Sequence, residues 1–172
     1  ADEENLGPFL TRLAAYDAII ALLNEALTQI NAAGGSFVAD LSTGFEGFDT
    51  PATFATFNRA VLVRTLIYAQ RYEDAIDVFG DTYIDPAGPM VSGPKMVFSL
   101  NPGDITNPVF RAPNQNGDQI VVHNTFIEEA EAGDLRVANK TAPRVNATAQ
   151  DNLNGTHESR LYASNVSPID FL

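Results

Sequence analysis

Four carboxylates crowd one short stretch of the sequence, and this clustering raises the question of glycoside hydrolysis. They are Glu128, Glu129, Glu131 and Asp134. A pair of carboxylates flanking a glycosidic bond can serve as the acid and the base or nucleophile of its hydrolysis. Such a pair needs an apolar pocket that raises the pKa of one member, and nothing in the sequence suggests one. The pattern is more typical of a solvated helix face, so a glycoside hydrolase is kept only as a third alternative, behind two binding functions.

The chain offers few residues for other kinds of catalysis or for metal binding. It has no cysteine, and its two histidines, His123 and His157, are far apart in the sequence. Disulfides, thiolate metal sites and cysteine nucleophiles are therefore excluded, and a Ser-His-Asp triad has little support. The segment 114–118, NQNGD, lacks the acidic spacing and final glutamate of a calcium loop and predicts a turn. We predict no enzyme, no metal and no cofactor, with His123 at the end of a strand.

Charges of both signs meet at Asp134, Arg136 and Lys140. One interpretation is structural, an ion-paired turn that fixes the loop region. The other is functional, a site that holds an anionic or polyhydroxyl ligand. The sequence leaves both open, and we favour the structural interpretation.

Composition and charge limit the classes of partner. The 172 residues are enough for one domain with a real core, and 45% of them are hydrophobic. Against 22 acidic residues stand 10 basic ones, which gives a formal net charge of −12. Such a surface repels phosphate backbones, so we predict that nucleic acid is not a partner. The longest apolar runs are a few residues, far below the roughly 20 that a transmembrane helix needs.

Apolar residues at intervals of three and four predict helices in the first part of the chain. The pattern predicts a helix at 9–32, a second at 52–70 and a shorter third at 72–80. Thr50 is a typical cap for the second helix, and Pro51 suits its first turn. Two glycines follow the first helix, where a left-handed residue commonly ends a helix.

These helices are expected to pack through their apolar faces. The residues predicted to be largely buried are Leu13, Ile20, Leu27, Phe57 and Val61. The glycine-rich loop at 36–49 carries three phenylalanines, and we expect it to cover the core of the helix pair. The helices would then form the part of the fold on which the rest depends.

After Gly80 the sequence becomes rich in Gly, Pro, Asn and Asp. Short apolar runs predict strands or extended segments at 96–98, 120–122 and 161–162. One short helix is expected at 125–132. A segment this rich in loops needs a scaffold, so we expect residues 81–172 to pack on the helices of residues 1–80 within a single domain, 1–172. The predicted fold class is mainly α, with a loop-rich C-terminal half that contains short strands.

Several motifs follow one another in an order typical of one family. They are FDTPATF at 48–54, FNRA at 57–60, VFS at 97–99, NPVF at 107–110, EAEAGDLR at 129–136 and SPI at 167–169. This ordered series spans nearly the whole chain and resembles the SusD/RagB family. Tyr72, Ala75 and Phe79 also resemble the second helix of a tetratricopeptide (TPR) unit, where a small alanine lets two helices approach closely.

The resemblance implies a SusD-like scaffold of TPR-like helical hairpins with a loop-rich ligand face. It implies non-catalytic binding of glycans or other nutrient oligomers at the bacterial cell surface. The partner would be a SusC-type TonB-dependent transporter of the outer membrane, where a lipid anchor holds the binding protein. Family members are several hundred residues long and begin with a lipidated cysteine, so we expect this chain to be an internal, partial domain. A TPR-like fragment that docks another polypeptide is the second alternative.

Carbohydrate binding would draw on aromatic rings and polar side chains, because sugars stack on rings while amides and guanidinium groups bind their hydroxyls. Tyr16, Tyr68 and Tyr72 lie on helical faces that we expect to be buried. The remaining tyrosines fall in loop-like sequence, although the one at 83 has the alternative role of capping the third helix. The predicted ligand-binding residues are Tyr83, Asn101, Asn107, Arg111 and Tyr162. The chain has no Trp, which argues against a starch-binding platform in this segment.

Overall fold

The computed structural model describes residues 7–89, 92–113, 119–145 and 154–172. The chain forms two compact units, which are described separately. The helical unit comprises residues up to Met96 together with Asp170–Leu172, and the loop-rich unit comprises Val97–Ile169. The helical unit thus extends beyond residue 80, where the sequence changes character. A single domain in which residues 81–172 pack on the helices stays a prediction.

The three predicted helices are confirmed, with small changes at their ends. They are α1 (Arg12–Ala32), α2 (Pro51–Tyr68) and α3 (Tyr72–Phe79). The Thr11 side chain caps α1 by accepting from the Ala14 N–H. Beyond its C-terminal end Gly34 has φ +81°, a conformation that glycine adopts without a Cβ penalty. Helix α2 packs against both α1 and α3.

A reciprocal cap starts α2. The Thr50 side chain accepts from the Thr53 N–H, and the Thr53 side chain accepts from the Thr50 N–H. Pro51 occupies the first turn, where its missing N–H costs nothing. The Thr50-Pro51 start predicted from the sequence is confirmed, and a capped start of this kind contributes about 0.5–2 kcal/mol.

A tight turn joins α2 to α3. The Arg71 N–H donates to the Leu66 carbonyl (2.8 Å) and the Gln70 N–H donates to the Ile67 carbonyl (3.0 Å). These two bonds form a Schellman motif, which normally places glycine at the left-handed position. Here Gln70 takes it, with φ +62°. The turn leaves Ala75 of α3 buried against Leu66 and its neighbours on α2.

The hydrophobic core of the helical unit lies between α2 and the helices on either side of it. Its buried members are Leu62, Val63, Leu66 and Ala75, and the half-buried residues packed against them are Ile20, Leu23, Val78 and Phe79. The burial predicted for Leu13 was wrong, because this side chain is 61% exposed. Nothing in the described part of the helical unit covers the first turn of α1. The other four residues predicted to be buried (Ile20, Leu27, Phe57 and Val61) are half-buried.

A buried guanidinium group links α1 to α2. Arg59 is 7% exposed and donates to the Leu23 carbonyl (2.9 Å) and to the Asn24 side-chain oxygen (3.0 Å). It also donates twice to the side-chain oxygen of its neighbour Asn58, which is itself buried. Burial lowers the pKa of Arg59 while Asp81 acts in the opposite direction. Because arginine keeps its proton in proteins, the pair of helices is held by charge-assisted hydrogen bonds.

The loop before α2 carries an aromatic cluster onto that helix, as the sequence predicted. Phe37 and Phe45 lie against Phe54, with ring centroids 5.6 and 5.8 Å apart. Phe45 and Phe171 both contact Phe57, at 6.0 and 6.1 Å. The last residues of the chain therefore complete a cluster that the loop begins. Arg64 fastens them by donating to the Phe171 carbonyl at 3.1 Å.

One helix among the described residues, α1, is long and apolar enough to cross a membrane by length and composition. This property of α1 was not predicted from the sequence, because polar residues interrupt the apolar runs of the helix. Length and composition alone do not identify a membrane-spanning helix. A helix near the N-terminus that serves as a signal sequence, or one that packs in a protein core, satisfies the same criteria.

Five short strands lie among the residues that the structure describes. They are β1 (Lys95–Met96), β2 (Val121–Val122), β3 (Thr141–Pro143), β4 (His157–Ser159) and β5 (Ile169–Asp170). Strand β1 pairs with β5, while β2, β4 and β3 form an antiparallel sheet in that order. In this sheet Glu158 lies opposite both Val121 and Ala142. The mainly helical class is confirmed, and the runs predicted near 96 and 121 contain strands.

The remaining secondary structure of the loop-rich unit differs from the prediction. The helix expected at 125–132 is α4 (Asn124–Glu128), and an unpredicted helix, α5 (Leu135–Lys140), follows it. Asp134 caps α5 by accepting from the Arg136 N–H, so the residues predicted to form an ion-paired turn start a helix. The strand predicted at 161–162 is not found there. The nearest strand is β4 at 157–159, which forms hydrogen bonds with β2 on one side and β3 on the other. Residues 114–118 lie outside the described residues.

Replacing Arg59 with Lys should lower the free energy of unfolding by about 2–4 kcal/mol. A lysine ammonium cannot reproduce the planar fork that reaches both Leu23 and Asn24, and buried acceptors left unpaired are costly. Chemical denaturation followed by circular dichroism measures the change. The control is Arg12→Lys, an exposed substitution at the start of α1 that should change the free energy by less than about 0.5 kcal/mol. Equal losses in both variants would contradict this account of Arg59.

Replacing Phe57 with Ala should cost about 2–3 kcal/mol of unfolding free energy. A fully buried phenylalanine costs about 3–5 kcal/mol when truncated, and Phe57 is half-buried within its aromatic cluster. Thermal and denaturant unfolding provide the measurement, with Phe9→Ala as the matched control because Phe9 is fully exposed. A Phe57→Ala protein as stable as the Phe9→Ala protein would exclude a close-packed cluster.

Candidate functional site

The five residues predicted to bind a ligand fall in both units. Tyr83 belongs to the helical unit, and the other four belong to the loop-rich unit. Only Arg111 and Tyr162 among the five line a common groove. The assignment of all five as ligand-binding residues stays a prediction, and the structure gives each of them specific surroundings.

Tyr83 is held between an aromatic ring and the backbone. Its ring meets Phe48 edge-on, with centroids 4.9 Å apart. Its hydroxyl lies over Gly93, where a Cβ atom would overlap it. Burial raises the pKa of the Tyr83 hydroxyl, and the negative charge of Asp170 raises it further. The side chain is half-buried, and both the ligand-binding role and the alternative role of capping α3 stay predictions.

The exposure of the helical tyrosines also differs from the prediction. Tyr68 and Tyr72 were expected to be buried, but they are 53% and 58% exposed. Tyr68 lies under the guanidinium group of Arg64, 5.5 Å from the ring centroid. The physical reason is that α2 and α3 bury a narrower face than their apolar spacing predicts. Tyr16 is half-buried.

Asn101 begins an exposed turn of the loop-rich unit. Its backbone N–H donates to the Ser99 hydroxyl at 3.0 Å, and its backbone carbonyl accepts from the Asp104 N–H. Ser99 also donates to the Asp104 carboxylate at 2.6 Å. Gly103 completes the turn with φ +93°. These contacts shape a loop, and Asn101 does not line the groove that contains Arg111.

Asn107 is 3% exposed and organises the loop that carries Arg111. Its side-chain oxygen accepts from the N–H groups of Val109 (2.8 Å) and Phe110 (3.1 Å). Its side-chain nitrogen donates to the Ser167 carbonyl at 2.8 Å. An amide engaged in this way positions the backbone from both directions. Asn107 therefore acts on the groove through the residues that follow it.

The groove that contains Arg111 and Tyr162 has a volume of about 480 Å³. This lies within the usual range of small-molecule sites, about 300–1,000 Å³. Phe110 and Arg111 lie on one of its contributing segments, and Arg160 and Tyr162 lie on the segment after β4. Small side chains, including Ala138, Ala142 and Ala163, also line it. The groove combines rings and guanidinium groups on an open surface, which is the chemistry predicted for sugar binding.

Arg111 is anchored within this groove. One of its terminal nitrogens donates to the carbonyls of Pro108 and Phe110, each at 2.8 Å. These bonds tie the side chain to its own loop and fix the direction of the guanidinium plane. The loop itself is held by Asn107, so the position of Arg111 depends on the buried amide of Asn107.

Arg160 is the groove residue that the sequence analysis missed. Its side chain is 42% exposed, and it pairs with the buried Glu158 at 3.4 Å. The backbone N–H of Arg160 donates to the Lys140 carbonyl at 2.7 Å, which holds this segment against the end of α5. A signal was present in the sequence, because Arg160 lies two residues before Tyr162 and alternate residues of an extended segment face the same side.

The carboxylate cluster lines a second groove, of about 630 Å³, in the loop-rich unit. Glu129, Glu131, Asp134 and Arg136 contribute to it. Arg136 donates to both oxygens of Asp134, at 2.6 to 3.0 Å. These hydrogen bonds to the Arg136 side chain and backbone lower the pKa of Asp134 from 3.8 to about 2. Asp134 therefore stays ionised at neutral pH and cannot serve as a general acid there.

The histidines have local partners. His123 follows β2, as expected of a strand-end residue, and its ring nitrogen accepts from the Thr125 N–H at the start of α4. His157 lies on β4, and its ring contacts the Thr156 hydroxyl at 3.0 Å. Within residues 7–89, 92–113, 119–145 and 154–172, no group of three or more His, Asp or Glu side chains is arranged to hold a metal ion.

The Asp134 carboxylate should titrate with a midpoint near 2 in an NMR experiment that follows its side-chain carbon. Its folded pKa is depressed, so its stabilising effect on α5 is complete above its ordinary pKa near 3.8. That effect is lost as the pH falls through about 2. The Arg136→Gln variant removes the cause and should move the midpoint up towards 3.8. A midpoint near 4 in the unaltered protein would contradict the bidentate pair.

Comparison with protein-family models found no match, and comparison with curated proteins and with solved structures found none either. The family resemblance of the ordered motifs therefore rests on the sequence alone. The description of the groove rests on this chain's own contacts.

Proposed function

We propose that this chain is part of a non-catalytic binding protein of SusD/RagB type, which binds glycans or other nutrient oligomers. The observation that carries the proposal is the groove of the loop-rich unit, where Tyr162 and Phe110 accompany Arg111 and Arg160. A sugar presents apolar C–H faces to rings and hydroxyl groups to guanidinium donors. The groove supplies both in one place.

The residues that carry the family resemblance support this proposal, because they have structural roles in this chain. Asn58 and Arg59 of FNRA are buried and join α1 to α2. Asn107 of NPVF is buried and shapes the loop beside the groove. Asp134 and Arg136 of the EAEAGDLR segment form the bidentate pair that starts α5. Motifs with such roles are suited to specifying a shared architecture.

A TPR-like arrangement of α2 and α3 is part of the same proposal. TPR-like hairpins need a tight turn and a small residue where the two helices meet. The Schellman turn at Gln70 provides the first, and Ala75, which is 5% exposed, provides the second. The helices α1 and α2 add a further antiparallel pair across Arg59.

The proposal places the protein at the bacterial outer membrane, beside a SusC-type TonB-dependent transporter. It assigns no catalytic residue, because Asp134 is held ionised by Arg136 and the other nearby carboxylates line an open groove. A binding protein that hands its ligand to a transporter needs reversible contact and no chemistry. The net charge of −12 agrees with an uncharged or locally recognised ligand and not with nucleic acid.

Docking of another polypeptide is the second candidate, and exposed apolar side chains on the helices favour it. Tyr72 and Ile76 of α3 are 58% and 73% exposed, and Leu22 of α1 is 64% exposed. Apolar side chains that lie together on a surface commonly mark a protein contact. This surface lies on the helices and is separate from the groove that carries the first candidate.

The purified protein should bind oligosaccharides in a glycan-array screen and release them unchanged. For the best ligand, Tyr162→Ala should weaken binding by about tenfold in calorimetry, because the stacking contact is lost. Chromatography of the incubated oligosaccharide should show its original length. Shortened products would favour the glycoside hydrolase alternative.

The matched control is Tyr68→Ala, an exposed tyrosine in the helical unit that does not line the groove. This variant should keep the affinity of the unaltered protein. Loss of affinity in the control but not in Tyr162→Ala would move the site to the helices. A protein that binds no saccharide at all would remove the proposed function and leave polypeptide docking.

A further inference from the structure

Two guanidinium groups line the groove of the loop-rich unit, although the protein as a whole is acidic. Arg111 and Arg160 line it, and no aspartate or glutamate is among the described residues of its lining. The chain as a whole carries a formal charge of −12. A general attraction for anions is therefore excluded, and any anion that binds must be recognised by these local donors.

We infer that this groove takes an acidic sugar, whose carboxylate or sulfate group pairs with Arg160 while its ring stacks on Tyr162. The inference rests on the proposed function and narrows its ligand class. A guanidinium group binds a planar carboxylate or a sulfate through paired N–H donors, and such bonds are about twice as strong as those to neutral hydroxyls. Carboxylate and sulfate share this chemistry.

Arg160 has the free donors that this role requires. A guanidinium group carries five N–H donors. Among the described residues, the Arg160 side chain makes one hydrogen bond, to Glu158 at the long distance of 3.4 Å. Glu158 lies buried on the central strand β4, while the side chain of Arg160 is 42% exposed and lines the groove. The ion pair orients the guanidinium group without saturating it.

Tyr162 is half-buried, and it lines the same groove. Its ring lines the groove beside Arg160, and its side chain has no hydrogen-bond or ring partner in the part of the chain that the structure describes. Arg111 is fixed to the carbonyls of Pro108 and Phe110, and it contributes positive charge from the other segment. An acidic sugar would therefore meet one fixed and one adaptable guanidinium group around an aromatic ring.

Calorimetry with three probes tests the inference. The probes are a galacturonic acid trisaccharide, its fully methyl-esterified form and a galactose trisaccharide carrying sulfate esters. The acid should bind at least about tenfold more tightly than its ester, which has the same stereochemistry but no charge. This preference should weaken at higher salt concentration. A preference for the sulfated probe over the acid would identify sulfate as the recognised group.

Arg160→Gln should remove the preference for the acid over the ester, and Arg160→Lys should retain part of it. The matched control is Arg12→Gln, which makes the same change of charge at an exposed position on α1, outside the groove. It should leave the preference intact. Circular dichroism on each variant ensures that a loss of binding is not a loss of fold.

Failure of the inference is distinguishable from failure of the proposed function. If acid and ester bind equally and the sulfated probe binds no more tightly, the groove does not recognise the charged group. The inference is then wrong, while the proposal of glycan binding is retained. If the Arg160→Gln variant still prefers the acid over the ester, residues other than Arg160 bind the charged group, and the inference is also wrong. If no probe and no other saccharide binds, both the inference and the proposed function fall.

Discussion

Arg59 places a buried guanidinium group between α1 and α2, where it donates to the Leu23 carbonyl and to the side chains of Asn24 and Asn58. Removing such a group from water is costly unless its donors are satisfied, so the two helices can take few other relative positions. The apolar core between α2 and its neighbours then follows from this constraint, since it determines which residues of α2 face α1. The small set of fully buried apolar residues makes the polar link more important for a unique arrangement than it would be in a larger core.

The aromatic residues extend this arrangement over the other end of α2. The loop at 36–49 brings Phe37 and Phe45 onto Phe54 and Phe57, and Phe171 joins them from the C-terminal end of the chain. Tyr83 sits against Phe48 and needs the absence of a side chain at Gly93. Ring contacts of this kind contribute about 0.5–1.5 kcal/mol each beyond the area that they bury. Loops therefore add to the stability of the helical unit while leaving the first turn of α1 uncovered.

Local rules predicted the parts of the fold that depend on local interactions. Thr50 and Pro51 start α2, and Gly34 follows α1, because caps and left-handed residues act within one turn. Burial was predicted less well, since helical spacing places Leu13 on an apolar face but does not reveal whether another element covers it. Asn58 and Arg59 look like surface residues by type, and their burial is explained by the hydrogen bonds of Arg59 to Asn58 and to α1. Among the candidate site residues, Arg111 and Tyr162 were predicted from their chemistry and line one groove, and their role in binding stays a prediction. Arg160 was missed because β4 and its buried Glu158 were not predicted.

The two guanidinium groups of the groove differ in how they are held, and this difference bears on the proposed binding of an oligomer. Arg111 is tied to backbone carbonyls of a loop that Asn107 fixes, so little side-chain entropy remains to be lost when a ligand arrives. Arg160 has one long contact to Glu158 and keeps more freedom. A fixed donor favours one ligand orientation, whereas a freer one can adapt to successive units of an oligomer. A protein that must bind a chain firmly and then release it gains from having both, because the adaptable contact can be exchanged while the fixed one maintains the register.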